Sequence, residues 1–195
     1  MIEKQKSNSA LRRGASRLAA VQALYQMDMS GNRIDDVVKD FLSGAIGGEV
    51  IEEDLDLETE EVVPLIELNA EMFSVLVRGA AAMRDRLDEV IAKSLSSGWE
   101  ADRLEPILRN ILRCGIYELL EREEVPPRVA ISEYVGMARA FYDAPEAGMV
   151  NAVLDRLARE VRPDQMDAAR PARPMQTKPG TGKPSPNRGG NDPAG

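Results

Sequence analysis

Apolar residues recur every three or four positions along most of this 195-residue chain. The clearest stripe follows Pro64 and consists of Leu65, Leu68, Met72, Leu76, Ala80, Met83, Leu87 and Val90. This alternation of threes and fours is typical of an amphipathic helix, and no segment shows the strict alternation of a half-buried strand. Because aromatic residues make up only 4% of the chain, the core must be aliphatic, which favours helix-on-helix packing. The sequence therefore predicts an all-α fold.

The helical spacing predicts six helices, which share glycine or proline punctuation at their ends: about 10–29, 34–42, 64–95, 102–122, 127–142 and 144–161. Asp143, with Glu146 three residues later, matches a capping box for the last of them. We expect one all-helical domain over 10–162, made of an N-terminal bundle (about 10–95) and a C-terminal bundle (about 99–162).

Three segments fall outside this helical pattern. Residues 1–9 are polar and are expected to form a flexible basic arm. Residues 44–63 are acidic, contain no Lys or Arg, and are expected to form an exposed loop. Residues 163–195 are rich in Pro and Gly and poor in large apolar side chains, so we expect a disordered tail.

The composition offers little for catalysis. There is no histidine, and the single cysteine, Cys114, lies in an apolar helix where it is read as a buried packing residue rather than a reactive thiol. No phosphate-binding glycine loop, zinc motif or calcium loop is present, so we predict no catalytic residue, no metal and no cofactor. Since no apolar run could span a membrane and the N-terminus lacks a signal-like apolar stretch, we expect a cytoplasmic protein.

The charge of the chain is segregated. The formal net charge is −8, yet residues 1–25 carry five basic side chains against one acidic one. Arg13 and Arg17 are one helical turn apart and Arg12 lies beside them, a spacing that suits phosphate contacts. Three such contacts with single-stranded RNA predict a log–log salt slope of about −2. The same spacing also suits a solvated helix face, and spacing alone does not decide between these two interpretations.

Three blocks resemble one family. RLAAVQALYQMDMS is similar to the first helix of the NusB family of bacterial transcription antitermination proteins. ADRLEPILRNILRCGIYELL resembles that family's fourth-helix region, and VPPRVAISEYVGMARAFYDAPEAGMVNAVLDRLAR resembles its VAINEAIELAK and FVNGVLD segments. The resemblance covers about 11–29 and 102–159, and it implies an all-helical fold of two small bundles without enzymatic activity.

The resemblance also implies RNA-binding residues, namely Arg12, Arg13, Arg17, Tyr25, Met149 and Asn151. Arg13 and Arg17 match the family's N-terminal arginine cluster, although Gly14 stands where relatives can carry another arginine. Tyr25 matches the end of AVQALY. Asn151 matches the Asn of FVNGVLD, and Met149 takes a position that is often aromatic.

The function that the resemblance implies is transcription antitermination. The implied partners are boxA RNA of ribosomal RNA leaders, the ribosomal protein NusE, and the RNA polymerase antitermination complex. Two alternatives remain open from the sequence: a helical protein-interaction adaptor that does not bind RNA, and the RNA-recognition domain of a ribosomal RNA methyltransferase. An intact enzyme of the latter type is not expected, because no cofactor-binding domain accompanies the helices.

Overall fold

The computed structural model describes residues 2–45, 49–54, 59–64 and 67–168, with the side chains of 8–45 and 67–167. Within these ranges the chain forms α1 (Ile2–Ser30), α2 (Ile34–Leu42), β1 (Glu49–Asp54), β2 (Thr59–Pro64), α3 (Ala70–Ala82), α4 (Arg84–Ser94), a 3-10 turn (Ala101–Arg103), α5 (Pro106–Glu121), α6 (Pro127–Phe141), α7 (Ala144–Val161) and α8 (Pro163–Ala168). The fold is the predicted helical one, with one small hairpin added. No helix in these ranges is long and apolar enough to cross a membrane.

Helix α5 lies at the centre of the molecule. It packs against α1 and α3 on the N-terminal side and against α4, α6 and α7 on the C-terminal side, so both bundles share it. Gly115 permits this close packing, because a Cβ there would lie 3.0 Å from the Leu154 side chain of α7. Cys114 is wholly buried beside it, and burial raises the pKa of its thiol. The cysteine therefore packs as a small apolar residue.

The long helix predicted over 64–95 is divided in the structure. Pro64 ends β2, and α3 begins only after Asn69, whose side chain accepts a hydrogen bond from the Met72 N–H at 2.9 Å. Asn is among the preferred N-cap residues. Helix α3 then ends at Met83, where α4 begins. The apolar stripe continues across this break, which is why periodicity alone does not reveal it.

A two-stranded antiparallel hairpin lies within 44–63, the segment predicted to be a loop. Its register pairs Val50 with Val63 and Ile51 with Val62, and β-branched residues favour strands. The next pairs place Glu opposite Glu, which opposes strand pairing. The four β-branched residues are too few to give a clear alternating pattern in so acidic a segment, so the sequence analysis missed the hairpin.

The structure also differs from the predicted boundaries at both ends. The backbone of α1 is helical from Ile2, through the segment 1–9 that we expected to be a flexible arm; apart from Ser7 and Ser9, the segment contains no strong helix breaker. Beyond Pro163, α8 continues the ordered chain, and Met166 is 1% exposed. The rest of the predicted tail, 169–195, lies outside the described residues. Asp143 occupies the N-cap position of α7, but its side chain makes no capping hydrogen bond.

Candidate nucleic-acid interface

Arg17, predicted to contact RNA, is buried in the interior. It is 2% exposed, and its guanidinium faces Glu118 of α5. Nε donates to Oε2 of Glu118 at 2.9 Å, and Nη2 donates to Oε1 at 2.6 Å. This is the planar two-bond geometry that an arginine forms with a carboxylate. The structure therefore corrects the prediction: Arg17 does not present its guanidinium to a phosphate, because a carboxylate already occupies it.

Two further side chains complete this buried cluster. The Tyr134 hydroxyl of α6 donates to Glu118 Oε2 at 2.9 Å, and Arg17 Nη1 donates to Glu133 Oε2 at 3.3 Å. Burial by itself would lower the pKa of Arg17, but the hydrogen bond and charge of Glu118 outweigh it and raise that pKa. Burial, followed by the Glu118 charge, raises the pKa of Tyr134 well above its usual range. The cluster joins α1, α5 and α6.

Arg12 and Arg13 differ from Arg17 because both reach the surface. Arg13 is exposed, and its Nη1 donates to Ser9 Oγ at 2.7 Å, one turn earlier on α1. Arg12 is half-buried and reaches the segment before α3. It donates to the carbonyls of Glu67 at 3.2 Å and Leu68 at 3.3 Å, and pairs with the Glu67 carboxylate at 3.3 Å. The residues Arg12–Arg17, called here the arginine turn, thus offer one open guanidinium and one partly engaged guanidinium.

The arginine turn is attached to the rest of the fold by a hydroxyl. Ser16 Oγ accepts from the Asn69 N–H at 2.8 Å and lies 2.8 Å from the Arg12 carbonyl, to which it donates. Ser16 is buried. This contact, together with Arg12 on Glu67 and Leu68, fixes the segment 67–69 onto α1 three residues after the hairpin ends.

Gly14 brings α1 close to α6 at the same turn. A Cβ at this position would lie 3.3 Å from Oε2 of Glu133, the carboxylate that also pairs with Arg17. The Glu133 side chain is 38% exposed. A carboxylate that is partly open to solvent therefore lies in the crease between α1 and α6, beside the exposed Arg13.

The other predicted contacts lie elsewhere. Tyr25 is half-buried farther along α1. Met149 is 6% exposed and belongs to the core, because its position on α7 faces inward. Asn151 is exposed on α7, which packs against α4, α5, α6 and α8. Of the six predicted residues, Arg13 and Asn151 are exposed, Arg12 and Tyr25 are half-buried, and Arg17 and Met149 are inaccessible.

A second buried arginine, Arg113 of α5, performs a similar structural task. It donates to both Asp88 oxygens at 2.7 Å and to Asp28 at 2.9 Å, and so connects α5 with α4 and α1. Among the residues that the structure describes, no group of three or more acidic, Cys or His side chains could hold a metal ion.

The sequence analysis missed Glu118 and Glu133 as partners of the arginine turn. One signal was present for Glu118, because it interrupts the apolar run GIYELL on a face that the stripe buries, and a buried carboxylate needs a cationic partner. Nothing local indicated that this partner would come from α1, 101 residues earlier.

Comparison with known proteins identifies the family. The sequence profile of the NusB family matches residues 14–159. The transcription antitermination protein NusB of Rhodospirillum rubrum is 55% identical over 167 residues, which cover 83% of this chain and 90% of that protein. That of a Bradyrhizobium species is 46% identical over 165 residues, covering 85% and 92%.

Solved structures share the fold. Thermotoga maritima NusB (printed as T. maritima) superimposes with a TM-score of 0.60 at 24% identity, covering 80% of this chain and 96% of that one. A chain from a complex of antitermination factors NusB and NusE with double-stranded RNA gives 0.57 at 23% identity, covering 75% and 96%. The relatives' names describe a transcription factor, in agreement with the prediction that the chain is not an enzyme. On its profile match and on these identities, the chain belongs to the NusB family.

Proposed function

We propose that this chain is a transcription antitermination factor that binds boxA RNA of ribosomal RNA leaders jointly with NusE, as part of the RNA polymerase antitermination complex in the cytoplasm. The observation that carries the proposal is the 55% identity, over 90% of its length, to a transcription antitermination protein NusB. A complex of similar fold that contains both NusE and RNA supports the choice of partners.

The arginine turn gives this proposal its physical basis. A chain of net charge −8 repels a polyanion, so RNA must meet a local excess of positive charge. Arg13 is exposed and Arg12 retains part of its surface, so both guanidiniums can donate to phosphate oxygens. Two such contacts give a log–log salt slope of about −1.4 with single-stranded RNA, shallower than the three-arginine expectation because Arg17 is buried.

Fluorescence anisotropy with labelled boxA RNA, with and without NusE, tests the proposal. Arg13→Glu removes the exposed guanidinium and adds a repulsive charge, so we expect at least a tenfold loss of affinity, on the order of one strong charge-assisted contact. Arg33→Glu is the matched control, because Arg33 is exposed beyond the opposite end of α1 and makes the same charge change. Equal affinities for the two variants would contradict the assignment of the arginine turn to RNA.

The alternative function is a helical protein-interaction adaptor that does not bind RNA. The burial of Arg17 and the pairing of Arg12 with Glu67 favour it, since both reduce the positive charge that the arginine turn offers. The same assay decides: an adaptor binds NusE but leaves boxA RNA unbound, alone or with NusE.

A further inference from the structure

We infer that Glu133 is a specificity-determining residue, which accepts hydrogen bonds from the base edge of a guanine lodged in the crease between α1 and α6. This inference rests on the proposed RNA-binding function and adds the recognition of one base to it. It is carried by the position of the Glu133 carboxylate beside the arginine turn.

The Glu133 carboxylate is held in place before any ligand arrives. Its Oε2 accepts from Arg17 Nη1 at 3.3 Å, and Arg17 is itself fixed by the two bonds to the buried Glu118. Among the residues that the structure describes, Oε1 of Glu133 has no hydrogen-bond partner, and the side chain is 38% exposed. Glu133 therefore presents a preorganised acceptor toward solvent.

Space for a base lies directly beside this acceptor. Gly14 has no side chain, and a Cβ there would already be 3.3 Å from Glu133 Oε2. Arg13, the next residue on α1, is exposed and can hold the phosphate of the same nucleotide. Val129, one turn before Glu133 on α6, is an exposed apolar side chain that can contact the face of a base. The crease thus combines a cation, an open volume, an acceptor and an apolar surface.

The chemistry of the acceptor selects the base. A carboxylate beside phosphate-binding arginines repels phosphates, so it cannot serve general affinity for RNA. It can accept from base N–H groups, which single-stranded RNA leaves accessible on the Watson–Crick edge. Guanine presents two adjacent donors, N1–H and the N2 amino group, and so can form two parallel charge-assisted bonds. Uracil presents one N–H between two carbonyl oxygens, which the carboxylate repels.

Inosine scanning of boxA RNA tests this inference, in the presence of NusE and with the full chain. Inosine lacks the N2 amino group of guanine but keeps N1–H. We replace each guanine in turn and expect one position at which inosine lowers the affinity of the unchanged protein about tenfold, as loss of half of a bidentate base contact would. Glu133→Gln should reduce that penalty to less than about threefold, because the amide cannot accept both bonds.

Two further variants separate recognition from structure. Gly14→Ala narrows the crease while leaving the Glu133 charge intact, and it should also weaken the inosine penalty. Glu160→Gln, at an exposed position on α7, should leave the penalty unchanged. If Glu133 is only a third partner of Arg17, then Glu133→Gln lowers the melting temperature and keeps the full inosine penalty, which overturns the inference.

The outcomes also distinguish this inference from the proposed function. RNA binding that depends on Arg13 but shows no inosine-sensitive position overturns the base contact alone. Absence of RNA binding by the unchanged protein with NusE overturns both.

Discussion

Arg17 of α1 and Glu118 of α5 form a two-bond ion pair in the interior, with N–O distances of 2.9 and 2.6 Å and side-chain exposures of 3% and 0%. The Tyr134 hydroxyl adds a third donor to Glu118. Arg162, at the end of α7, donates to the backbone carbonyl of Glu118 at 3.2 Å. A single residue of the central helix thereby connects α1, α6 and the end of α7, and so places the arginine turn relative to the C-terminal bundle.

Breaking this pair should destabilise the protein strongly. Arg17→Met leaves the Glu118 charge buried without its partner, so we expect the free energy of unfolding to fall by about 3–5 kcal/mol. Arg17→Lys keeps the charge but loses the planar two-bond geometry, and should cost less. Urea unfolding followed by circular dichroism measures both losses.

The double variant Arg17→Met/Glu118→Leu provides the internal check on that prediction. It removes both charges together and should recover most of the loss. Arg78→Ala is the surface comparison, because Arg78 and Asp35 pair at 2.6 Å while both are largely exposed, and its cost should stay below about 1 kcal/mol. Equal losses for Arg17→Met and Arg78→Ala would contradict the structural role of the buried pair.

Gly79 of α3 should not tolerate a methyl group. A Cβ at this position would lie 2.1 Å from the Tyr117 ring, which is nearly buried between α3 and α5. Gly79→Ala should therefore cost about 1–3 kcal/mol of stability through overpacking. Gly136→Ala is the matched control, since nothing lies within 4 Å of a Cβ there, and alanine should stabilise the interior of α6 by up to about 1 kcal/mol.

Thermal unfolding of these glycine variants measures the difference, and a second substitution checks its cause. In a Tyr117→Leu background the ring is absent, so Gly79→Ala should become nearly neutral. A cost that persists without the ring would show that the methyl group collides with something else.

Tyr134 should make the protein lose stability in alkali. Burial raises the pKa of its phenol well above the usual value of about 10. Above that pH the unfolded chain loses the Tyr134 proton while the folded protein keeps it, so rising pH favours unfolding. Tyr134→Phe lacks this proton, and it also lacks the bond to Glu118, which costs about 1–3 kcal/mol near neutral pH.

The two effects predict a convergence. The stability difference between the unchanged protein and Tyr134→Phe should shrink as the pH rises above about 10, because only the unchanged protein has the Tyr134 linkage. Urea unfolding at about pH 8 and about pH 11 measures it. A difference that stays constant over this range would mean that Tyr134 ionises in the folded state as readily as in the unfolded state.

The helical fold could be predicted because its signal is local. The apolar spacing reports which face of each helix is buried, and it predicted α2 over the residues that the structure shows. The break at Met83 could not be predicted in this way, because the stripe runs through it. The hairpin was missed because its strand signal consists of two β-branched pairs inside an acidic segment.

The site was harder to predict than the fold, because a sequence shows charges but not their partners. Arg13 and Arg17 look equivalent on one helix face, yet one is exposed and the other is buried on Glu118. The difference arises from the packing of α1 against α5, which brings together residues 101 positions apart. Likewise Glu133 gains its position only because Gly14 lets α6 approach α1.

Arg17 should affect RNA binding only through the placement of α1, and salt dependence can reveal this. Arg13→Ala removes a phosphate contact, so the log–log salt slope should become shallower by about 0.7. Arg17→Lys should lower the affinity for boxA RNA while leaving the slope unchanged, because no ion is released at a buried guanidinium. A shallower slope for Arg17→Lys would mean that Arg17 leaves its pair with Glu118 to bind phosphate.

Glu67 should weaken RNA binding by competing with phosphate for Arg12. Its carboxylate lies 3.3 Å from Arg12 Nη2 and is highly exposed, three residues after the acidic hairpin ends. Glu67→Gln removes this charge but keeps both backbone carbonyls that hold Arg12. Because an exposed pair contributes about 0.2–1 kcal/mol, the affinity for boxA RNA should rise by up to about fivefold at low salt.

Ionic strength provides the check on this prediction. Screening weakens the exposed pair, so the gain from Glu67→Gln should be larger at about 50 mM salt than at about 200 mM. Glu71→Gln, which neutralises another exposed carboxylate in the first turn of α3, is the control and should give a smaller gain at both concentrations. A gain that is equal for the two variants would show that the acidic segment acts through overall charge, and not through the contact between Glu67 and Arg12.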